Sequence, residues 1–126
     1  VHVNRWKIPP SLEQAAIARD RACVYCAISF SLPATNTGAK PSWEHIINDA
    51  RIVTLENIAK CCMSCNASKG AKELEAWLES NYCIRKGITE TSVAQVVRNA
   101  LSRRPVIELN KESTVSQALK FQGLSI

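Results

Sequence analysis

No stretch of the 126 residues is apolar for long enough to cross a membrane, and none is an internal repeat or a low-complexity tract. The N-terminus lacks the basic, apolar and small-residue succession of a secretory signal. These absences set aside a membrane span and a solenoid. Histidine is scarce, with His2 and His45 the only two. Acidic residues are outnumbered, 11 against 16 Lys and Arg, which leaves a net charge of +5 and a pI near 9.0. That balance favours a polyanionic partner, although the excess is moderate and an ordinary basic surface could carry it.

The length suits one compact domain, 1–126, and 46% hydrophobic residues can bury a modest core. A domain of this size removes roughly two-thirds of its unfolded surface from water, so a metal staple would help. Residues 1–10 read as an extended lead-in ending in Pro9-Pro10. Ser11, with Gln14 three residues on, reads as a capping box opening a helix to about Asp20. Pro33, Asn36, Gly38 and Pro41 mark 31–42 as loop. Residues 43–47 predict a strand, Asn48-Asp49 a turn and 51–53 a return strand. Thr54 is the expected cap of a short helical turn through Asn57 and Ala59. Leu74, Trp77 and Leu78 place a core-facing stripe on a helix over 71–81. Val93, Val96, Val97 and Leu101 do the same for 90–103, which Pro105 ends. The core is thus expected over about 20–80, with a C-terminal helical extension over about 88–126 in which 112–121 forms a last helix or a docking arm.

Six cysteines are present, and four fall into two Cys-x-x-Cys pairs, Cys23/Cys26 and Cys62/Cys65, with 35 residues between them. Each pair can form a knuckle that aims two sulfurs at one point. Two knuckles complete the tetrahedral thiolate set that Zn²⁺ favours. Such spacing indicates metal binding rather than a disulfide framework, and it fits a reducing, cytoplasmic setting. A Cys61/Cys65 pair is the alternative to Cys62/Cys65. Cys62 is preferred because it repeats the first spacing, which turns Cys61 into the core. Cys83, without a pair, has the same core reading.

The insertion between the knuckles carries Glu44-His45. Neighbours on a strand point to opposite faces, so spacing alone does not make them one site. The order of pieces does more. Cys23-Val-Tyr-Cys26, Trp43-Glu-His-Ile46, Glu56-Asn-Ile-Ala59 and Cys62-Met-Ser-Cys65-Asn-Ala-Ser-Lys69-Gly70 follow one another over about 20–75. In this the chain resembles the HNH endonuclease family, and the continuation through Trp77 and Tyr82-Cys83 is similar to small stand-alone bacterial and phage members.

The resemblance implies an α+β fold with a ββα-metal (His-Me finger) core, a four-cysteine zinc site and flanking helices. It implies His45 as the general base that activates water, and Asn57 as the residue that orients the histidine or its loop. It implies Glu44 and Asn66 as ligands of a catalytic Mg²⁺ or Mn²⁺, which makes this an H-N-N variant. Glu stands at 44 where the family more often has Asp, and the loop to Asn57 lacks a Gly-rich run. Asp49 therefore offers a carboxylate instead of, or beside, Glu44. Lys69, Lys72 and Arg51, with Lys40 and Lys60, are the expected phosphate contacts on double-stranded DNA. Trp43 and Trp77 are expected in the core, and His2 outside the site. The apolar face of 90–103 and the tail are the expected homodimer surface. A metal-dependent DNA endonuclease, bacterial or phage-encoded, is the reading these residues favour. A non-catalytic zinc-ribbon DNA-binding module is the alternative.

Overall fold

The computed structural model describes residues 6–103. The reading of 112–121 as a helix or arm, and His2, lie outside them. The described chain is α+β: one two-stranded antiparallel sheet with helices around it. None of its helices is long and apolar enough to cross a membrane.

Helix α1 runs Pro10–Arg19. Its N-cap is Pro9 rather than Ser11, and no side chain caps it. Pro10 at the first helical position, where a missing N–H costs nothing, starts the helix in place of the expected capping box. After a three-residue 3₁₀ turn at Thr37–Ala39, strand β1 spans Pro41–His45. Strand β2 spans Ile58–Cys62 and pairs with it in the register Pro41–Cys62 to His45–Ile58. The return strand therefore lies seven residues later than the sequence predicts. Residues 51–53 instead leave a turn in which the Ile52 N–H donates to the Asp49 carbonyl at 3.0 Å. The turn expected after Thr54 is real but short: its carbonyl accepts from the N–H groups of Asn57 and Ile58 at 3.0 and 2.8 Å. Pairing then takes over at Ile58.

Cys62 ends β2 and is also the N-cap of α2, Met63–Lys69. The predicted 71–81 helix is two shorter ones, α3 Leu74–Leu78 and α4 Asn81–Lys86. Ser80 divides them, because its hydroxyl accepts the Cys83 N–H at 3.3 Å and caps α4. Gly87, at φ 72°, closes α4, and the Ile88 N–H reaches back to the Cys83 carbonyl at 2.9 Å. A fifth α-helix among the described residues, α5, covers 95–103.

Val24, Tyr25, Ile46, Ala59, Trp77, Ile88, Val93 and Val97 are buried together with Cys23, Cys62 and Cys65, and Cys26 is partly buried against them. Val93, Val96 and Val97 of the apolar stripe expected as a homodimer surface are buried in the chain's own core beside Ala100, and Leu101 packs partly buried against it; the tail lies outside the described residues. Arg19 and Asp20 fasten α1 to β2. The buried Asp20 carboxylate takes a bidentate pair from Arg19 (2.7 and 2.8 Å) and the Lys60 N–H at 3.0 Å. Arg19 also donates to the carbonyls of Leu55 and Ile58. Asp20→Ala strands three donors and should cost about 2 kcal/mol, read as a lowered urea midpoint with an unchanged m-value.

Candidate metal centre and His45 cavity

The two knuckles meet. The sulfurs of Cys23, Cys26, Cys62 and Cys65 all lie within 4.8 Å of one another, and Cys26 and Cys62 are 3.8 Å apart. A tetrahedron with metal–sulfur bonds of about 2.3 Å has edges of about 3.8 Å, so the donors match a zinc ion in kind and spacing. In the first knuckle the N–H groups of Tyr25 and Cys26 point at the Cys23 sulfur, both at 3.4 Å. Ala27 takes φ 69° to close the turn. In the second, the Cys65 N–H donates to the Cys62 sulfur at 3.4 Å. The Tyr82 hydroxyl donates to the Cys65 sulfur at 3.2 Å. Hydrogen bonds from Cys23 and Cys65 hold the Cys26 thiol far below its ordinary value, while the bond to Cys26 pushes the Cys23 thiol up and the one to Cys65 opposes it. Four thiols so crowded cannot all ionise without a cation among them.

Strand alternation turns Cys61 to the other side of β2. It is fully buried, beside Ser42, and burial pushes its thiol up. Cys83 is buried too, on α4. Both have the core role expected of them.

The second feature is a cavity of about 510 Å³ whose lining includes Trp6, Trp43, Glu44, His45, Asn48 and Asn66. His45 ends β1, where alternation gives way to the following loop, so Glu44 and His45 line the same space. The His45 Nε2 is the buried side-chain nitrogen or oxygen that has no hydrogen-bond partner among the described residues. Trp6 packs edge-on against the imidazole, with ring centroids 5.0 Å apart. Burial, and then the Lys69 ammonium, push the His45 pKa down, and Asp49 opposes them. A lowered value leaves the ring neutral near pH 7.

Asn57 is buried and clamps the segment after His45. Its Oδ1 accepts the Ile47 N–H at 2.7 Å, and its Nδ2 donates to the carbonyls of Ile47 and Ile52, each at 3.2 Å. Asn66, on α2, spends its Nδ2 on Ser42 Oγ and the Trp43 carbonyl, both at 2.9 Å. The Asn66 Oδ1 is therefore the atom a cation could use.

Glu44 is held more tightly than the sequence suggests. Its Oε2 accepts the Tyr25 hydroxyl at 2.6 Å and pairs with the Lys69 ammonium at 3.0 Å. Lys69, expected to meet phosphate, has a side chain only 1% exposed. It sits at the end of α2, not the start of a helix, and cannot reach a ligand outside. Position was the missed signal: Lys69 follows Cys65 by four residues and so shares its inward face. Tyr25 lies inside the first knuckle, which aims it inward.

Of the other expected phosphate contacts, Lys72 and Lys40 are exposed. Arg51 is exposed and grips Asp49 through both carboxylate oxygens. That grip pulls the Asp49 carboxyl down to about 2 and occupies the carboxylate that the sequence offers as a metal ligand. Lys60 lies over the half-buried Trp43 ring at 3.9 Å, and Trp77 is fully buried.

The chain matches no protein-family model, no curated protein and no solved structure.

Replacing Cys62 with Ser should abolish stoichiometric zinc, whereas Cys61→Ser should retain one zinc per chain. Elemental analysis of the two purified variants distinguishes the two assignments of the second knuckle.

Proposed function

We propose that the chain is an HNH-type endonuclease that hydrolyses phosphodiester bonds in double-stranded DNA. The observation that carries this reading is the cavity, which gathers His45, Glu44 and Asn66 and leaves the His45 Nε2 without a partner. An unpartnered buried polar atom costs about 1–3 kcal/mol, a cost that a working site explains and a packed core does not. The strand–strand–helix order of β1, β2 and α2 around the cavity supports a ββα-metal core.

In this reading His45 takes a proton from the attacking water at a ring nitrogen. Asn57 fixes the loop that leaves His45 and so fixes the ring's mount. Glu44, through its second carboxylate oxygen, and Asn66, through Oδ1, would hold a Mg²⁺ or Mn²⁺, and both are the hard oxygen donors such ions take. A bound cation supplies charge relief on the scissile phosphate and the leaving oxygen. Lys72, Lys40 and Arg51 supply exposed positive charge for the DNA backbone.

One observation favours a second reading, a zinc-ribbon module that binds DNA without cutting it: Lys69 already neutralises Glu44. Supercoiled plasmid separates the two. The nuclease nicks or linearises it with Mg²⁺ or Mn²⁺, and His45→Ala lowers the rate at least about 100-fold with zinc content unchanged. DNA binding without cleavage, or cleavage that survives His45→Ala, contradicts the assignment.

A further inference from the structure

We propose that Lys69 is a positioning residue whose ammonium is the resident counter-ion of Glu44. We further propose that the place it fills, between the Glu44 Oε2 and the His45 carbonyl oxygen, is a built-in cation site. This deepens the nuclease reading and rests on it for the role of Glu44, but it is tested through stability rather than cleavage.

The Lys69 nitrogen lies 3.0 Å from Glu44 Oε2 and 3.4 Å from the carbonyl oxygen of His45. The side chains of Lys69 and Glu44 are 1% and 6% exposed. A buried ammonium and a buried carboxylate persist only when each compensates the other. Lys69 thus holds both halves of the Glu44-His45 pair, one by its side chain and one by its backbone. Tyr25 completes the hold on Oε2 from the opposite knuckle.

The sulfur centre explains how the ammonium comes to be there. Cys65 is fixed in the thiolate cluster, and α2 carries Lys69 one turn further along the same face. Whenever the knuckles close, a positive charge is delivered to Glu44. The chain can therefore fold with Glu44 buried before any Mg²⁺ or Mn²⁺ arrives. A hard cation that lost this competitor would find two oxygens already converging.

Lys69→Met tests this. Met is one atom shorter, so the stem is nearly kept and the ammonium's position is vacated. Mg²⁺ is the probe because it prefers oxygen donors and leaves the four sulfurs to zinc. Thermal melts would compare zinc-loaded wild type, Lys69→Met and the double variant Glu44→Gln/Lys69→Met, each with and without millimolar Mg²⁺.

Without Mg²⁺, Lys69→Met should melt more than about 10 °C below wild type, as expected for a buried charge left alone. Mg²⁺ should raise its melting temperature by more than it raises wild type, because the vacated place takes an ion that the Lys69 ammonium excludes from wild type. Glu44→Gln/Lys69→Met, with no charge to balance, should melt near wild type and ignore Mg²⁺. If Lys69→Met does not fold alone, circular dichroism after refolding with and without Mg²⁺ gives the same comparison.

The proposal is overturned by any of three results. One is a Lys69→Met chain as stable as wild type. Another is a loss that Mg²⁺ does not relieve. The third is a double variant that fails to fold or responds to Mg²⁺ like the single one. Failure of the wild type to cut plasmid would remove the nuclease reading and leave these melts unchanged.

Discussion

Four sulfurs from two segments 35 residues apart must converge on one point, and most of the structure follows from that constraint. The second knuckle spans the junction of β2 and α2, with Cys62 both the last strand residue and the helix cap. Closing it sets the angle at which α2 leaves the sheet. That angle puts Asn66 against Ser42 and Trp43, and Lys69 against Glu44. The first knuckle carries Tyr25 into the interior, where its hydroxyl meets the same carboxylate. It also receives α5, since the Ala94 N–H donates to the Val24 carbonyl at 2.8 Å. A domain this small has little core to spare, so a sulfur cluster that ties both knuckles, the hairpin and two helices together contributes to the fold as well as offering a place for a metal.

The same constraint couples the sulfur cluster to the cavity. Trp77 lies between two tyrosines, edge-on to Tyr25 at 4.8 Å and stacked on Tyr82 at 6.0 Å. Tyr25 ends on Glu44 and Tyr82 ends on Cys65. One packed aromatic row thus has a carboxylate at one end and a sulfur of the four-cysteine cluster at the other. The Trp77 indole N–H, which would otherwise be orphaned in the core, donates to Ser68 Oγ on α2 at 2.9 Å. Polar atoms around the row are paired, which sets off the unpartnered His45 Nε2 as the exception.

The sequence made some of this legible and hid the rest for identifiable reasons. Equal Cys-x-x-Cys spacing singled out the four cysteines that cluster, and strand alternation disposed of Cys61. The i, i+3, i+4 stripe of Leu74, Trp77 and Leu78 marked a buried helical face, but not that Ser80 would divide the helix. Strand β2 was hidden because four of its five residues are buried, so no alternation of polar and apolar residues announces it. Glu44 and His45 share a cavity because β1 ends at His45, a boundary that local pattern fixes only to within a few residues. The pairing of Lys69 with Glu44 joins residues far apart in sequence, so only tertiary structure reveals it. A lysine four residues after a ligand cysteine was nonetheless a clue to burial.

X-ray absorption at the zinc edge of the purified protein tests the central claim most directly. The account predicts a first shell of four sulfurs at about 2.3 Å. A shell containing nitrogen or oxygen, or a protein that folds fully with no metal bound, would contradict it.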